Sequence, residues 1–246
     1  MNHWQLEKPL DAVTFDCDGT LSRCEGINEL AWQNGVGPVV EQLTSVAMAK
    51  TGLTDDLYAE RLSLVQPNRL QVEALGDIYF NECVPMAAEV IDLFQRLGKQ
   101  VYIISAGLQP SVAIFADHLR VPQSNVFAVN VYFDKAGNYL EFDQSSSLTS
   151  LGGKHELLKE IKKKGPSILH VGDGMNDVDA KAQVKRFVGY GGIYYREQIR
   201  QCSDFYIRSL SLAPLLPLSL TQEESTFLVG KDKAIYDEGV RLLLED

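Results

Sequence analysis

Residues 13–21 read VTFDCDGTL: an apolar run that ends in two acids one residue apart, Asp16 and Asp18, with Gly19 and Thr20 behind them. Two carboxylates about 4 Å apart repel by roughly 4 kcal/mol at the effective dielectric near a protein surface. A bound cation, a proton or plain solvent exposure could each relieve that repulsion. Other short apolar runs recur downstream: VYII (101–104), NVFAV (125–129), ILHVG (168–172) and RFVGY (186–190), each of strand length like AVTF (12–15). Helical patterns lie between them at 86–97, where Val90, Ile91, Phe94 and Leu97 share a face, at 110–119 and at 154–163. Strands alternating with helices predict an α/β fold built on a parallel sheet covered on both faces.

Such sheets bind ligands beyond the carboxyl ends of their strands. Polar clusters follow three of the runs directly: 16–20 (DCDGT), 105–107 (SAG) and 173–177 (DGMND). Distant in sequence, they can share one rim. Residues 26–80 break the alternation and read as successive helices, with Leu43, Val46, Ala47 and Lys50 on one pattern and Leu57, Arg61 and Leu64 on another, punctuated by GVGP, KTG and QPN. A helical insert after the first strand has the form of a cap, and a lid over a rim site excludes water and selects substrate. The expected organisation is a core of residues 1–21 and 81–246 with a helical cap at 22–80. VYFDKAGNYLEF (131–142) alternates around a Gly-Asn turn and predicts a β-hairpin. SLAPLLPLSL, after residue 210, is apolar but broken by prolines, and a final helix is expected over 230–246.

The chain has 246 residues, 45% hydrophobic and 23% charged, enough for one sizeable core. Its net charge of -10 speaks against a general nucleic-acid or anionic-membrane surface, so an anionic substrate needs local cations. Cys17, Cys24, Cys83 and Cys202 form no C-x-x-C pair, which removes zinc knuckles and redox motifs and leaves buried, reduced thiols as the expectation. The start, MNHWQLEKPLDAV, has no basic cluster ahead of an apolar segment, and no apolar run reaches bilayer length; a cytoplasmic location is expected. KEIKKK (159–164) reads as the solvated end of a helix.

Calcium loops fail on spacing. A loop from Asp16 would need Gly and Glu where Leu21 and Ile27 stand, and one from Asp173 meets Val178 and Val184. A P-loop at Lys154 fails at Leu148 and His155. Taken singly, the remaining residues have plain readings: DCDGT and GDGMND as polar turns, Ser105 as a helix N-cap, Lys154 as a solvated helix-start lysine. His118, His155 and His170 have no ligand spacing and read as structural or surface residues, and Cys17 as a packing residue. Together, on strand exits, the acids make chemical sense. Asp16 can attack phosphorus and split phosphomonoester hydrolysis into two steps through an acyl phosphate. Asp18 can protonate the leaving alkoxide and then deprotonate water. A hard cation held by Asp16 and Asp173 relieves the crowding, while Lys154, Ser105 and backbone N–H groups fix phosphoryl oxygens.

With D-x-D-G-T-L, a Ser after a strand, a Lys and G-D-G-x-N-D in that order, the chain resembles the haloacid dehalogenase superfamily of aspartate-nucleophile phosphatases, and within it the phosphoserine phosphatases, over roughly residues 10–210. CEGINEL (24–30), ERLSLVQP (60–67), ISAGLQPSV, NVFAVNVYFDKAGNYLEFD and GGIYYREQI carry the closer match. The resemblance implies a Rossmann-like core, Mg2+ as cofactor and hydrolysis of O-phosphoserine in serine biosynthesis. By the same resemblance Glu25 contacts the substrate amine and Arg61 its carboxylate. Ser105, Ala106, Lys154 and Asn176 complete substrate binding; Asp16, Asp173 and the backbone carbonyl of Asp18 hold the metal, and Asp177 supports them.

Two positions depart from the pattern. The family usually has S-G-G where this chain has Ser105-Ala106-Gly107, and an aromatic seven residues before the cap arginine where this chain has Thr54. A less apolar lid would suit a different or larger substrate, so phosphohomoserine and phosphothreonine, and phosphotransfer rather than hydrolysis, are alternatives. A receiver domain also pairs acids with a phosphorylatable Asp, a Ser/Thr and a Lys, but the helical insert and GDGMND count against it. The complete acidic set counts against an inactive binding protein.

Overall fold

The computed structural model describes residues 4–46, 53–163 and 165–245. Its strands are β1 (Ala12–Phe15), β2 (Gln100–Leu108), β3 (Val126–Val129), β4 (Val131–Phe133), β5 (Tyr139–Phe142), β6 (Ile168–Gly172), β7 (Arg186–Tyr190) and β8 (Phe205–Ile207). Six form a parallel sheet in the order β3-β2-β1-β6-β7-β8, and β4 pairs with β5 as the expected antiparallel hairpin. Every residue of β1 and β6 is buried, which explains why both read as unbroken apolar runs rather than alternating ones.

Register decides where the acids go. Phe15 is level with Ile103 of β2 on one side and Val171 of β6 on the other. Asp16 and Asp173 therefore leave adjacent strands within one residue of the same height, and the Asp16 N–H donates to the Val171 carbonyl at 2.9 Å. β2 continues past that height, so Ser105 lies inside a strand and is not a helix cap.

Between β1 and the rest of the sheet come α1 (Gly26–Gln33), α2 (Gly37–Val46), α3 (Asp55–Val65) and α4 (Arg69–Asn81). Then follow α5 (Ala87–Arg96), α6 (Gln109–His118), α7 (Gly153–Lys162), α8 (Met175–Ala180) and α9 (Glu197–Cys202). α5 buries Ala87, Val90, Ile91, Leu93 and Phe94 as one stripe. α4 packs closely on α6: a Cβ on Gly76 would stand 2.5 Å from the Ile114 Cβ. On α3 the pattern holds for Arg61, which is buried, but Leu64 is 39% exposed and Leu62 and Val65 take the inner face instead. Ala47, Lys50 and the KTG punctuation lie outside the described residues. Of the four free thiols only that of Cys17 is buried; Cys24, Cys83 and Cys202 are partly exposed, because each sits where an element meets the surface.

The tail forms α10 (Leu215–Ser219), α11 (Gln222–Thr226) and α12 (Gly230–Glu245). α10 is wholly buried despite its proline. Arg186, first residue of β7, donates to the Leu218 carbonyl, and Lys99, just before β2, pairs with Glu224 and donates to the Leu10 carbonyl. The tail thus seals the amino ends of the strands, opposite the polar rim. Among the described residues no helix is long and apolar enough to cross a membrane.

Candidate active site

All ten residues singled out from the sequence line one cavity above the carboxyl ends of β1, β2 and β6. Asp16 is the first residue beyond β1. Its Oδ1 accepts from the Cys17 N–H at 2.7 Å, and its Oδ2 lies 2.8 Å from Lys154 Nζ. Lys154 is the second residue of α7 and is buried; it also donates to Asp177 Oδ1 at 2.7 Å. The start of α7 is tightly seated, since a Cβ on Gly153 would stand 1.9 Å from the Ser147 carbonyl oxygen. Lys154 is therefore an interior cation, not a solvated helix-start residue.

Asp177 is saturated by donors. Its Oδ1 also pairs with His170 Nε2 at 2.9 Å, and its Oδ2 accepts from the Gly174 N–H at 2.9 Å. His170 in turn meets Thr14 Oγ1 at 2.8 Å through Nδ1, so this buried histidine has both nitrogens engaged. Asp173 accepts from Thr20 Oγ1 at 3.1 Å and pairs with Arg196, whose guanidinium also donates to the Asp173 carbonyl at 2.7 Å. Gly19 makes this approach possible: its φ is +68°, and a Cβ there would lie 2.7 Å from Asp173 Oδ2. Asp18 has a separate set of partners. Its Oδ1 accepts from the Gly26 N–H at 2.6 Å and the Tyr79 hydroxyl at 2.8 Å, and its Oδ2 accepts from Ser105 Oγ at 3.3 Å.

Electrostatics follow from this packing. Burial pushes Asp16 well above the usual carboxylate range, Lys154 opposes that, and Asp177 and Asp173 add to it. Burial also raises Asp173, against the pull of Arg196. For Asp177 burial is outweighed by Lys154 and His170, which hold it below the ordinary value. Lys154 loses stability as a cation by burial, yet Asp16 and Asp177 more than restore it and keep it above the ordinary lysine range. Carboxylate oxygens of Asp16, Asp173 and Asp177 all lie within 4.8 Å of one another. Lys154 and Arg196 together do not fully offset Asp16, Asp173 and Asp177, and the oxygen-only donor set could hold a hard divalent ion. Asp177, with its oxygens already engaged, suits a supporting place better than direct ligation.

The same cavity is also lined by Glu25, just before α1, and Arg61 on α3. Glu25 Oε1 and Arg61 Nε are buried polar atoms with no hydrogen-bond partner. Burial, with Asp18 and Asp173 nearby, pushes Glu25 well up; burial lowers Arg61. Arg61 Nη1 donates to Thr44 Oγ1 at 3.3 Å, which donates onward to Asn28 Oδ1 at 2.8 Å. Thr54 is exposed and caps α3, its Oγ1 accepting from the Leu57 N–H at 3.3 Å, so it has no part in the cavity wall. Leu53, Ile27, Leu62 and Leu75 line that wall, which is apolar there.

Sequence reading missed Arg196, Tyr79 and Thr20 as partners of the acids. Arg196 had a signal: it stands in the segment after β7, the strand next to β6, at the same carboxyl edge as Asp173.

A haloacid dehalogenase-like hydrolase profile matches residues 10–184. Human phosphoserine phosphatase is 35% identical over 212 residues, covering 84% of this chain and 94% of its own. The chloroplastic phosphoserine phosphatase of Arabidopsis thaliana is 31% identical over 206 residues, 82% of this chain and 70% of its own. A substrate-bound phosphoserine phosphatase structure superposes with a TM-score of 0.75 at 23% identity, covering 85% of this chain and 98% of that one. These relations agree with the sheet order and with the acids at its carboxyl edge: the chain belongs to the haloacid dehalogenase-like hydrolases, within the group of the phosphoserine phosphatases.

Proposed function

We propose that this phosphoric monoester hydrolase is a Mg2+-dependent O-phosphoserine phosphatase that works through a phosphoaspartate, in serine biosynthesis. One observation carries the substrate reading: a single cavity joins the Asp16–Lys154 centre to an acid and a base that each keep a buried polar atom without a partner, Glu25 Oε1 and Arg61 Nε. Buried polar atoms without partners are costly, and an amino acid satisfies both at once, its ammonium at Glu25 and its carboxylate at Arg61. Relatives named phosphoserine phosphatase over most of this chain support the same reading.

In this mechanism an Asp16 carboxylate oxygen forms a bond to phosphorus as the bond from phosphorus to the serine oxygen breaks. Asp18 delivers its proton to the departing alkoxide, giving serine. It then takes a proton from water, whose oxygen attacks the acyl phosphate; the bond between phosphorus and Asp16 breaks, and inorganic phosphate leaves. Gly26 and Tyr79 at Oδ1 orient Asp18 so that Oδ2, beside Ser105, faces the reaction. Lys154 and Ser105 hold phosphoryl oxygens, with Ala106 and Asn176 beside them. Asp16, Asp173 and the Asp18 carbonyl would hold Mg2+, which when bound neutralises phosphate charge among the acids. Residues 22–80 act as the cap over a core of 1–21 and 81–246, and a cytoplasmic setting with reduced thiols belongs to the same reading.

Phosphate release from O-phosphoserine, phosphothreonine, phosphohomoserine and aryl phosphates, with and without Mg2+, tests it. O-Phosphoserine should have the highest kcat/KM, and chelation should abolish turnover; preference for another ester would overturn the substrate.

A further inference from the structure

Tyr58 stands on α3 three residues before Arg61 and is 4% exposed. Its hydroxyl donates to the Ala106 carbonyl of β2 at 3.0 Å, directly between Ser105 and Gly107. Its ring meets Phe142 of the hairpin edge-on, centroids 5.0 Å apart at 62°, and the Arg61 guanidinium carbon lies 5.8 Å from its centroid. One side chain therefore touches the helical segment's arginine, the phosphate-side strand and the hairpin while lining the cavity. The position four residues earlier, where an aromatic was expected, is the exposed helix cap Thr54. One helical turn on, the aromatic is present and faces inward.

We propose that Tyr58 is the specificity-determining residue of the leaving-group end: its hydroxyl draws α3 down onto β2, and its ring closes the wall so that small, Arg61-paired leaving groups fit and bulky ones do not. The inference deepens the phosphomonoesterase reading and rests on it. Two further bonds hold the start of α3 near the same surface. The Leu151 N–H donates to the Leu53 carbonyl at 2.7 Å, and Thr149 Oγ1 donates to Asp55 Oδ1. Both lie at or just before the first turn, whereas Tyr58 fixes the turn that presents Arg61. A neutral hydrogen bond and a ring face beside a guanidinium fix that presentation without adding charge to the site.

The test uses Tyr58→Phe, which keeps the ring and removes the bond, and Tyr58→Ala, which removes both; thermal melts establish that each is folded. In Tyr58→Phe the ratio of kcat/KM on O-phosphoserine to kcat/KM on p-nitrophenyl phosphate should fall about two- to twelvefold, the range of one neutral hydrogen bond, through KM on phosphoserine. In Tyr58→Ala the preference for p-nitrophenyl phosphate over ethyl phosphate should rise at least about tenfold. Equal changes on all substrates would reduce Tyr58 to a structural residue and overturn the proposal. The two aryl and alkyl esters keep the question separate from the substrate: if wild type fails on O-phosphoserine that substrate falls, and an unchanged aryl-to-ethyl ratio in Tyr58→Ala alone refutes the role of the ring.

Discussion

Lys154 Nζ lies 2.8 Å from Asp16 Oδ2, both side chains largely out of solvent at 3% and 14% exposure. The crowding of acids at 16–18 is thus met in part by an interior lysine, while Asp18 is held through its Oδ1 by Tyr79 and Gly26. Replacing Lys154 by Met strands the buried acids Asp16 and Asp177. Urea unfolding in chelator should show a loss of about 3–5 kcal/mol, the usual cost of an orphaned buried charge. Added Mg2+ should recover part of it, because the ion neutralises the same oxygens.

Asp16→Asn keeps the shape of the side chain and removes the attacking charge. Turnover should fall by several orders of magnitude with the fold intact by circular dichroism. Rapidly quenched wild type should carry one phosphoryl group, located on Asp16 by mass spectrometry, and normal turnover in the Asn variant would exclude Asp16 as nucleophile.

Arg61→Ala and Glu25→Gln remove charge-assisted contacts of about 1.5–3 kcal/mol each, or roughly ten- to a hundredfold in kcat/KM. That factor should appear on O-phosphoserine and be much smaller on p-nitrophenyl phosphate, which has neither an ammonium nor an α-carboxylate. A loss of equal size on both esters would place the two residues in the fold or the common phosphate site.

The pH dependence of stability should also reveal Glu25. Its carboxyl is raised in the folded protein, chiefly by burial and then by Asp18 and Asp173. A raised group stabilises below its unfolded value and loses that contribution as pH rises through its folded value. Without substrate, Glu25→Gln should therefore melt above wild type at pH 8, with the gap closing towards pH 4. A constant gap across that range would mean the glutamate does not titrate in this window.

Arg196 competes for the oxygens that would hold a metal, since it pairs with Asp173. Arg196→Gln should lower the Mg2+ concentration for half-saturation, by up to about tenfold or ~1.4 kcal/mol, in calorimetric titrations without substrate. Weaker Mg2+ binding in the variant would instead make the arginine an organiser of the metal site.

The order of strands and helices was legible in the chain because it rests on local pattern: buried parallel strands are continuous apolar runs, and helices such as α5 repeat their apolar residues every three or four positions. The acids at 16, 18, 173 and 177 were legible because Asp16 and Asp173 stand directly at the exits of such runs, with Asp18 two residues and Asp177 four residues further on. Tertiary structure alone decided what each group faces. Setting β1 between β2 and β6 brings Ser105 to Asp18 across 87 residues and Thr14 to His170 across 156. The seat of α7 buries Lys154, and the rotation of α3 puts Tyr58 inside while Thr54 and Leu64 face out. No local pattern encodes these outcomes, because a helix's rotation and a strand's neighbours are set by the close packing of the whole core, where residues far apart in the chain compete for the same volume.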